Sequence, residues 1–157
     1  MAMGYTVVDL LDKFISIEQA AHELYMKAAN EAAVPEKVKT LAKVFAIEEN
    51  RHIELYKNLK EKVKDDPDIY IDFTIYDRAS KMIADFAKFT RNLSVKDTSE
   101  LIDFFLNFEE ENLALLIIIQ GILVQSKEDE KTTKYKVLAE LIKEEQKHID
   151  DVSVFKR

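Results

Sequence analysis

Cysteine is absent from this 157-residue chain, and glycine and proline each occur only twice. The absence of cysteine excludes disulfides, thiolate sites for zinc or iron–sulfur clusters, and a thiol nucleophile. Any metal ion must therefore be held by Glu, Asp and His side chains. The scarcity of glycine and proline, with 47% hydrophobic and 34% charged residues, favours long helices over frequent turns. We expect an all-α protein in which residues 1–157 form one domain.

The chain also lacks basic clusters and long apolar runs. Its formal net charge is −7 and it has no stripe of Lys and Arg, which argues against nucleic-acid binding. The most apolar run, residues 113–124, contains Gln120 and Gly121 and is too short for a membrane span of about 20 residues. The N-terminus has neither the basic start nor the apolar core of a signal peptide, so we expect a cytoplasmic protein without a membrane partner.

Apolar residues recur at alternating steps of three and four in three stretches, which is the spacing of a helix with one buried face. The first long helix is predicted from about residue 6 to 33, the second from Pro35 to about 64, and the fourth from about Tyr135 almost to the C-terminus. The third begins at Thr98 or Ser99, whose hydroxyls can cap it, and continues to about residue 125. This third helix is apolar nearly all round, so we expect it to be deeply buried or to pack on another subunit, in at least a homodimer.

The connection between the second and third long helices is about 30 residues long and begins at a polar stop signal, Asp65–Asp68. Residues 69–75 alternate in polarity without a helical period, and we interpret them as extended. Residues 78–92 are predicted to form a shorter helix. One side of it carries Met82, Phe86 and Phe89. A connection of this length allows the second and third helices to run in the same direction, as a long crossover.

Two copies of a Glu-x-x-His motif lie on the apolar faces of the second and fourth helices. They are Glu49 with His52, and Glu145 with His148. A carboxylate and an imidazole three residues apart project from the same side of a helix and can hold one metal ion. A single pair of this kind is usually a surface pair, but two copies on the buried faces of separate helices favour a metal centre.

Each motif is preceded by a helix that carries a further glutamate among apolar residues. On the first helix this residue is Glu18. On the third helix Glu109, Glu110 and Glu111 all have apolar helical neighbours, so periodicity leaves the choice open. The order Glu, Glu-x-x-His, Glu, Glu-x-x-His is the ligand pattern of di-iron carboxylate bundles. Four carboxylates balance the charge of two divalent ions, and six ligands leave open positions for water, O₂ or peroxide.

Three further residues are candidates near this centre. Tyr25 and Tyr56 each follow a predicted ligand by seven residues, and a phenol there can hydrogen-bond a carboxylate or take part in catalysis by passing an electron. Packing in the core with one polar contact is the alternative interpretation of both tyrosines. His22 follows Glu18 by one turn, and we interpret it as a core or rim histidine in preference to an extra ligand.

These residues give the chain a resemblance to the ferritin-like di-iron superfamily, and within it to the rubrerythrin-like group without a rubredoxin module. The resemblance covers essentially the whole chain. It implies a ferritin-like four-helix bundle with a long crossover, containing a short extra helix, between the second and third helices. On the third helix the family pattern selects Glu109. The metal ligands that the resemblance implies are Glu18, Glu49, His52, Glu109, Glu145 and His148, and it also matches Tyr25.

The resemblance implies an oxidoreductase in which two Fe²⁺ ions reduce O₂ or peroxide, with Glu49 and Glu145 as bridging carboxylates. Leu116 stands where the family has a tyrosine, and Asn112 stands where rubrerythrins have a second ligating glutamate on this helix. Without rubredoxin cysteines, electrons must come from an external donor. Iron storage in a hollow shell, and a structural bundle holding Mn or Zn without turnover, are the alternative functions.

Overall fold

A computed structural model of the protein describes residues 4–88 and 93–156. In this part of the chain, five α-helices account for most of the residues, and the prediction of an all-α protein is confirmed. The helices are α1 (Val7–Ala29), α2 (Glu36–Val63), α3 (Phe73–Ala87), α4 (Thr98–Ile122) and α5 (Thr133–Ser153). Two short strands, β1 (Tyr5–Thr6) and β2 (Tyr70–Ile71), form one antiparallel pair.

Side chains placed just before the helices determine where several of them begin. At α1, the Thr6 hydroxyl accepts a hydrogen bond from the Val8 amide at 3.1 Å, and the Asp9 carboxylate accepts one from the Thr6 amide at 2.8 Å. At α4, Asp97 Oδ1 accepts from the Glu100 amide at 2.9 Å. The prediction that Thr98 or Ser99 caps this helix is therefore wrong, because the cap is the preceding Asp97.

The connection between α2 and α4 differs from the prediction at its centre. Only Tyr70–Ile71 is a strand, and α3 already begins at Phe73, so the extended interpretation of residues 69–75 is wrong at its end. The carboxylate of Asp72 accepts a hydrogen bond from the Thr74 amide at 3.2 Å and caps α3 five residues before the predicted start. Phe89 and the predicted end of this helix at Asn92 lie outside the described residues.

The four long helices form a bundle in which α1 lies along α2 and α4 lies along α5, while the shorter α3 contacts α1 and α4. Their buried apolar side chains form one cluster, to which all five helices contribute. Aromatic rings pack together within the interior, where Phe45 stacks on Phe105 at 4.1 Å and Tyr25 packs against Phe45 at 5.6 Å. None of the described helices has both the length and the apolar character needed to cross a bilayer.

Candidate metal centre

Four helices bring the six predicted ligands to one place inside the bundle. Five of the six side chains are completely buried, and the sixth, His148, is 3% exposed. Full burial of so many ionisable groups is rare in a protein interior unless they are paired or bind a metal. The residues are Glu18 on α1, Glu49 and His52 on α2, Glu109 on α4, and Glu145 and His148 on α5.

The ligand atoms of these side chains form two overlapping groups that can each hold a metal ion. One group takes one atom from each of Glu49, His52, Glu109 and His148, and these atoms lie within 4.8 Å of one another. The other is formed in the same way by Glu18, His52 and Glu145. His52 belongs to both groups, and all six predicted ligands belong to at least one. Carboxylate and imidazole donors of this kind suit iron, manganese and zinc.

Most of the oxygen and nitrogen atoms that could bind a metal have no hydrogen-bond partner among the described residues when the carboxyl groups are ionised. These atoms include both oxygens of Glu49 and of Glu109, both ring nitrogens of His148, and Nε2 of His52. Leaving a buried polar atom without a partner costs about 1–3 kcal/mol, and more if it is charged. Bound cations would supply the partners that these oxygens and nitrogens lack, so the residues present fit a metal centre.

Two glutamates of the centre are held by neighbouring side chains. The Tyr56 hydroxyl donates a hydrogen bond to Glu145 Oε1 at 2.8 Å, and the Asn112 amide donates one to Glu18 Oε1 at 3.2 Å. His52 Nδ1 lies 3.3 Å from Glu145 Oε1 and 4.0 Å from Glu18 Oε2. These contacts from α2 and α4 help to orient the carboxylates of Glu145 and Glu18, which are carried by α5 and α1.

The pKa values of Glu18, Glu109 and Glu145 lie far from the ordinary range of a carboxyl group. Burial and the charges of neighbouring glutamates raise the pKa of Glu18 and of Glu109 well above the usual 4.5. Burial also acts to raise the pKa of Glu145, but hydrogen bonds from Glu109, His52 and Tyr56 outweigh it and lower the pKa to about 2. Without metal, the centre therefore keeps its charge low by holding protons on some of its carboxyl groups.

The pKa values of the two histidines shift in opposite directions. Burial lowers the pKa of His52, but its contact with Glu145 and the charges of Glu145 and Glu49 outweigh burial and raise the pKa. The pKa of His148 is lowered, first by burial and then by the charge of His52. In the metal-free protein His52 therefore takes up a proton more readily than His148 does.

The three candidates outside the ligand set occupy different positions. Tyr56 makes the predicted contact between a phenol and a carboxylate, with Glu145. Tyr25 is completely buried, and its hydroxyl has no hydrogen-bond partner among the described residues. His22 belongs to neither ligand group, and its Nδ1 lies 2.8 Å from the carbonyl oxygen of Ala46, an N–H···O contact that links α1 to α2.

Sequence reasoning gave no role to two residues that contact the centre. In the sequence Asn112 is only a departure from the family pattern, yet it is completely buried and binds Glu18. The second residue is Glu48, whose Oε2 lies 3.6 Å from His148 Nε2. The signal for Glu48 was present, because a second glutamate precedes the ligand glutamate in both motifs, as Glu48 and as Glu144.

Chemically, the centre offers four carboxylates and two imidazoles in an interior from which water is largely excluded. Such a set binds divalent ions while leaving coordination positions for a small molecule. Comparison of the chain with protein-family models, characterised proteins and solved structures finds no match. What the centre does must therefore be judged from its own residues and their geometry.

Proposed function

We propose that the protein is a ferritin-like di-iron oxidoreductase, similar to rubrerythrins, that reduces O₂ or peroxide with electrons from an external donor. The observation that carries this proposal is the convergence of Glu18, Glu109 and two Glu-x-x-His motifs from four helices, with most of their donor atoms unpartnered. The order of these ligands along the chain is that of di-iron bundles. When bound, a pair of iron ions supplies the electrons that reduce the oxidant.

Charge balance supports a centre that holds two ions. Four ionised glutamates and two neutral histidines carry four negative charges, which two divalent ions neutralise. In their absence the raised pKa values of Glu18 and Glu109 mean that protons perform part of this neutralisation. Metal binding would therefore release protons, which is the expected behaviour of carboxylate ligands.

Glu49 and Glu145 are the carboxylates that would be shared between two bound ions. Glu145 contacts Glu18 and Glu109, which come from opposite halves of the chain. Glu49 shares a ligand group with Glu109 and also contacts Glu18. Each of the two therefore reaches ligands on both sides of the centre, as a bridging group must.

The surrounding side chains orient the ligands and exclude water. Tyr56 holds Glu145 through its hydroxyl group, and its ring lies parallel to that of His52 with 6.1 Å between centroids. The ring of Phe105 packs edge-on against the ring of His148, with 4.8 Å between centroids, and covers one side of this ligand. A dry, rigid pocket of this kind keeps the ligands in place while a small oxidant reacts.

The direct test is anaerobic loading of metal-free protein with Fe²⁺, followed by exposure to O₂ and, separately, to peroxide. We expect about two iron ions per chain and oxidation far faster than that of free Fe²⁺ in the same buffer, because rigid helices preorganise the ligands. His52→Ala and His148→Ala each remove a nitrogen ligand, so both should weaken iron binding and greatly reduce the rate.

His22→Ala is the matched control, because His22 lies on the same bundle but in neither ligand group. It should change the oxidation rate little. A rate equal to that of free Fe²⁺ in the unmodified protein would contradict the proposal and favour a structural metal site. Elution as a large hollow assembly that accumulates many iron ions per chain would favour iron storage.

A further inference from the structure

The buried centre comes nearest to the surface at His148. It is the one ligand of the six whose side chain retains any exposure, and its Nε2 has no hydrogen-bond partner among the described residues. This nitrogen points toward Glu48, whose Oε2 lies 3.6 Å away. Glu48 belongs to the outer side of α2 and is partly exposed, so it stands between the metal centre and solvent.

Arg51 closes this approach from outside. Its Nε donates to the same Glu48 Oε2 at 3.2 Å, and its Nη1 lies 3.8 Å from Glu144 Oε2. Because Glu48 and Arg51 are on α2 and Glu144 is on α5, the guanidinium spans the boundary between the two helices. The exposed fraction of the side chains decreases inward, from 46% for Arg51 through 33% for Glu48 and 20% for Glu144.

We propose that Glu48, Glu144 and His148 form the route by which divalent cations enter the buried centre, and that Arg51 is the gate of this route. The inference rests on the proposed metal centre. The two carboxylates and the imidazole are a donor set that a divalent cation prefers, but Arg51 compensates their charge while it lies between them.

On this route, entry begins with an exchange of contacts between cations. An arriving ion displaces the guanidinium from Glu48 and Glu144, which lie at a partly exposed surface where a side chain can move into water. It then reaches His148, which shares a ligand group with Glu49 and Glu109, and so arrives in the centre. On another side, the fully buried Phe45, Phe105 and Tyr25 offer no comparable polar path.

A gate alters the barrier that an ion crosses and not the final site, so uptake and release should change by the same factor. We expect Arg51→Gln to speed both by roughly fivefold, the factor that corresponds to loss of a strong exposed ion pair. The dissociation constant and the number of bound ions should stay the same. The probe is Co²⁺ alone, with uptake followed by stopped-flow absorbance and release started with excess chelator.

Two further variants separate a gate from a general charge effect. Lys57→Gln is the matched control, because Lys57 also lies on α2, is about as exposed as Arg51, and pairs with a glutamate three residues earlier. Its rates should equal those of the unmodified protein. Arg51→Lys keeps the charge, but an ammonium group cannot contact Glu48 and Glu144 together as the wider guanidinium does, so it should also speed both rates.

The results distinguish failure of the gate from failure of the centre. Arg51→Gln rates equal to those of Lys57→Gln would overturn the gate, as would normal rates in Arg51→Lys beside faster rates in Arg51→Gln. A change in release alone, with a raised dissociation constant, would show that Arg51 supports a ligand and would also overturn the gate. Absence of Co²⁺ uptake by the unmodified protein would overturn the metal centre itself, and the gate with it.

Discussion

The two buried tyrosines near the centre differ in their hydrogen bonding. Tyr56 donates its hydroxyl proton to Glu145 at 2.8 Å, whereas the Tyr25 hydroxyl has no partner among the described residues. Both side chains are completely buried and both have a strongly raised pKa, first because of burial and then because of nearby glutamate charges. They therefore form a pair of equally buried phenols, of which only Tyr56 has a hydrogen-bond partner among the described residues.

Removing each hydroxyl should separate the effect of the hydrogen bond from that of the ring. We expect Tyr56→Phe to reduce the free energy of unfolding of the metal-free protein by about 1.5–3 kcal/mol, the usual value for a hydrogen bond to a charged group. Tyr25→Phe should change it by under about 0.5 kcal/mol or increase it, because a buried hydroxyl without a partner is lost. Urea unfolding of both variants measures this, and equal losses would contradict the assignment of the bond.

The ligand residues were predictable from the sequence to different degrees. Glu49 and Glu145 stand on narrow apolar stripes, so their burial followed from periodicity. The burial of Glu109 did not follow from periodicity, because Glu110 and Glu111 have equally apolar helical neighbours. In the structure Glu109 is completely buried while Glu110 and Glu111 are exposed, a difference that depends on which neighbouring helix covers each face of α4. That information is tertiary and is not contained in the local pattern.

The sequence predicted which segments are long helices. The errors are in the boundaries of the elements, where a local signal competed with periodicity. Alternating polarity over residues 69–75 indicated an extended segment, and two of these residues do pair with β1. The capping carboxylate of Asp72 nevertheless begins α3 at Phe73. A single side-chain hydrogen bond to the backbone thus decided the boundary, and alternation over so few residues could not outweigh it.

Helix α4 keeps an apolar strip on its outer surface. Leu115, Leu116 and Ile119 are buried by the bundle, but Ile117 and Ile118 remain about half exposed. Gly121 is on the same face, one turn further along, and has open space around it. Exposed, contiguous apolar surface of this kind usually marks an interface, so a second copy of the chain is the partner that we predict for α4.

This prediction is tested by the molar mass in solution. Light scattering at micromolar concentration should give at least twice the 18.2 kDa of one chain. The double variant Ile117→Lys, Ile118→Lys should reduce it to a monomer, since two charges cannot be buried at an apolar contact. Ile47→Lys is the control, because Ile47 is an even more exposed apolar residue and lies on α2. A strictly monomeric unmodified protein would contradict the predicted dimer.

At the scale of the whole molecule, the buried carboxyl groups connect stability to pH. The pKa values of Glu18 and Glu109 are raised in the folded metal-free protein, so their protonated forms stabilise it fully below the usual pKa of 4.5. This stabilisation is lost as the pH rises through the raised values. Glu145, with its pKa lowered to about 2, acts oppositely, and its contribution is lost only as the pH falls from 4.5 toward 2.

We therefore expect the free energy of unfolding of metal-free protein to decrease as the pH rises above 4.5. With saturating Zn²⁺ the trend should disappear or reverse, because the metal takes the place of the protons on the ligands. Urea unfolding at a series of pH values, with chelator or with Zn²⁺, measures both curves. Stability of the metal-free protein that increases steadily from pH 4.5 upward would show that Glu18 and Glu109 are ionised in the folded state.

The centre is divided equally between the two halves of the chain. The pair α1–α2 carries Glu18, Glu49 and His52, and the pair α4–α5 carries the other three ligands. Both ligand groups contain residues from both pairs, so neither group is complete until the pairs dock. Each helix pair can form from contacts close in sequence, which fold quickly. Metal ions would consequently leave the refolding rate almost unchanged and slow unfolding, so that the native state persists longer without being reached sooner.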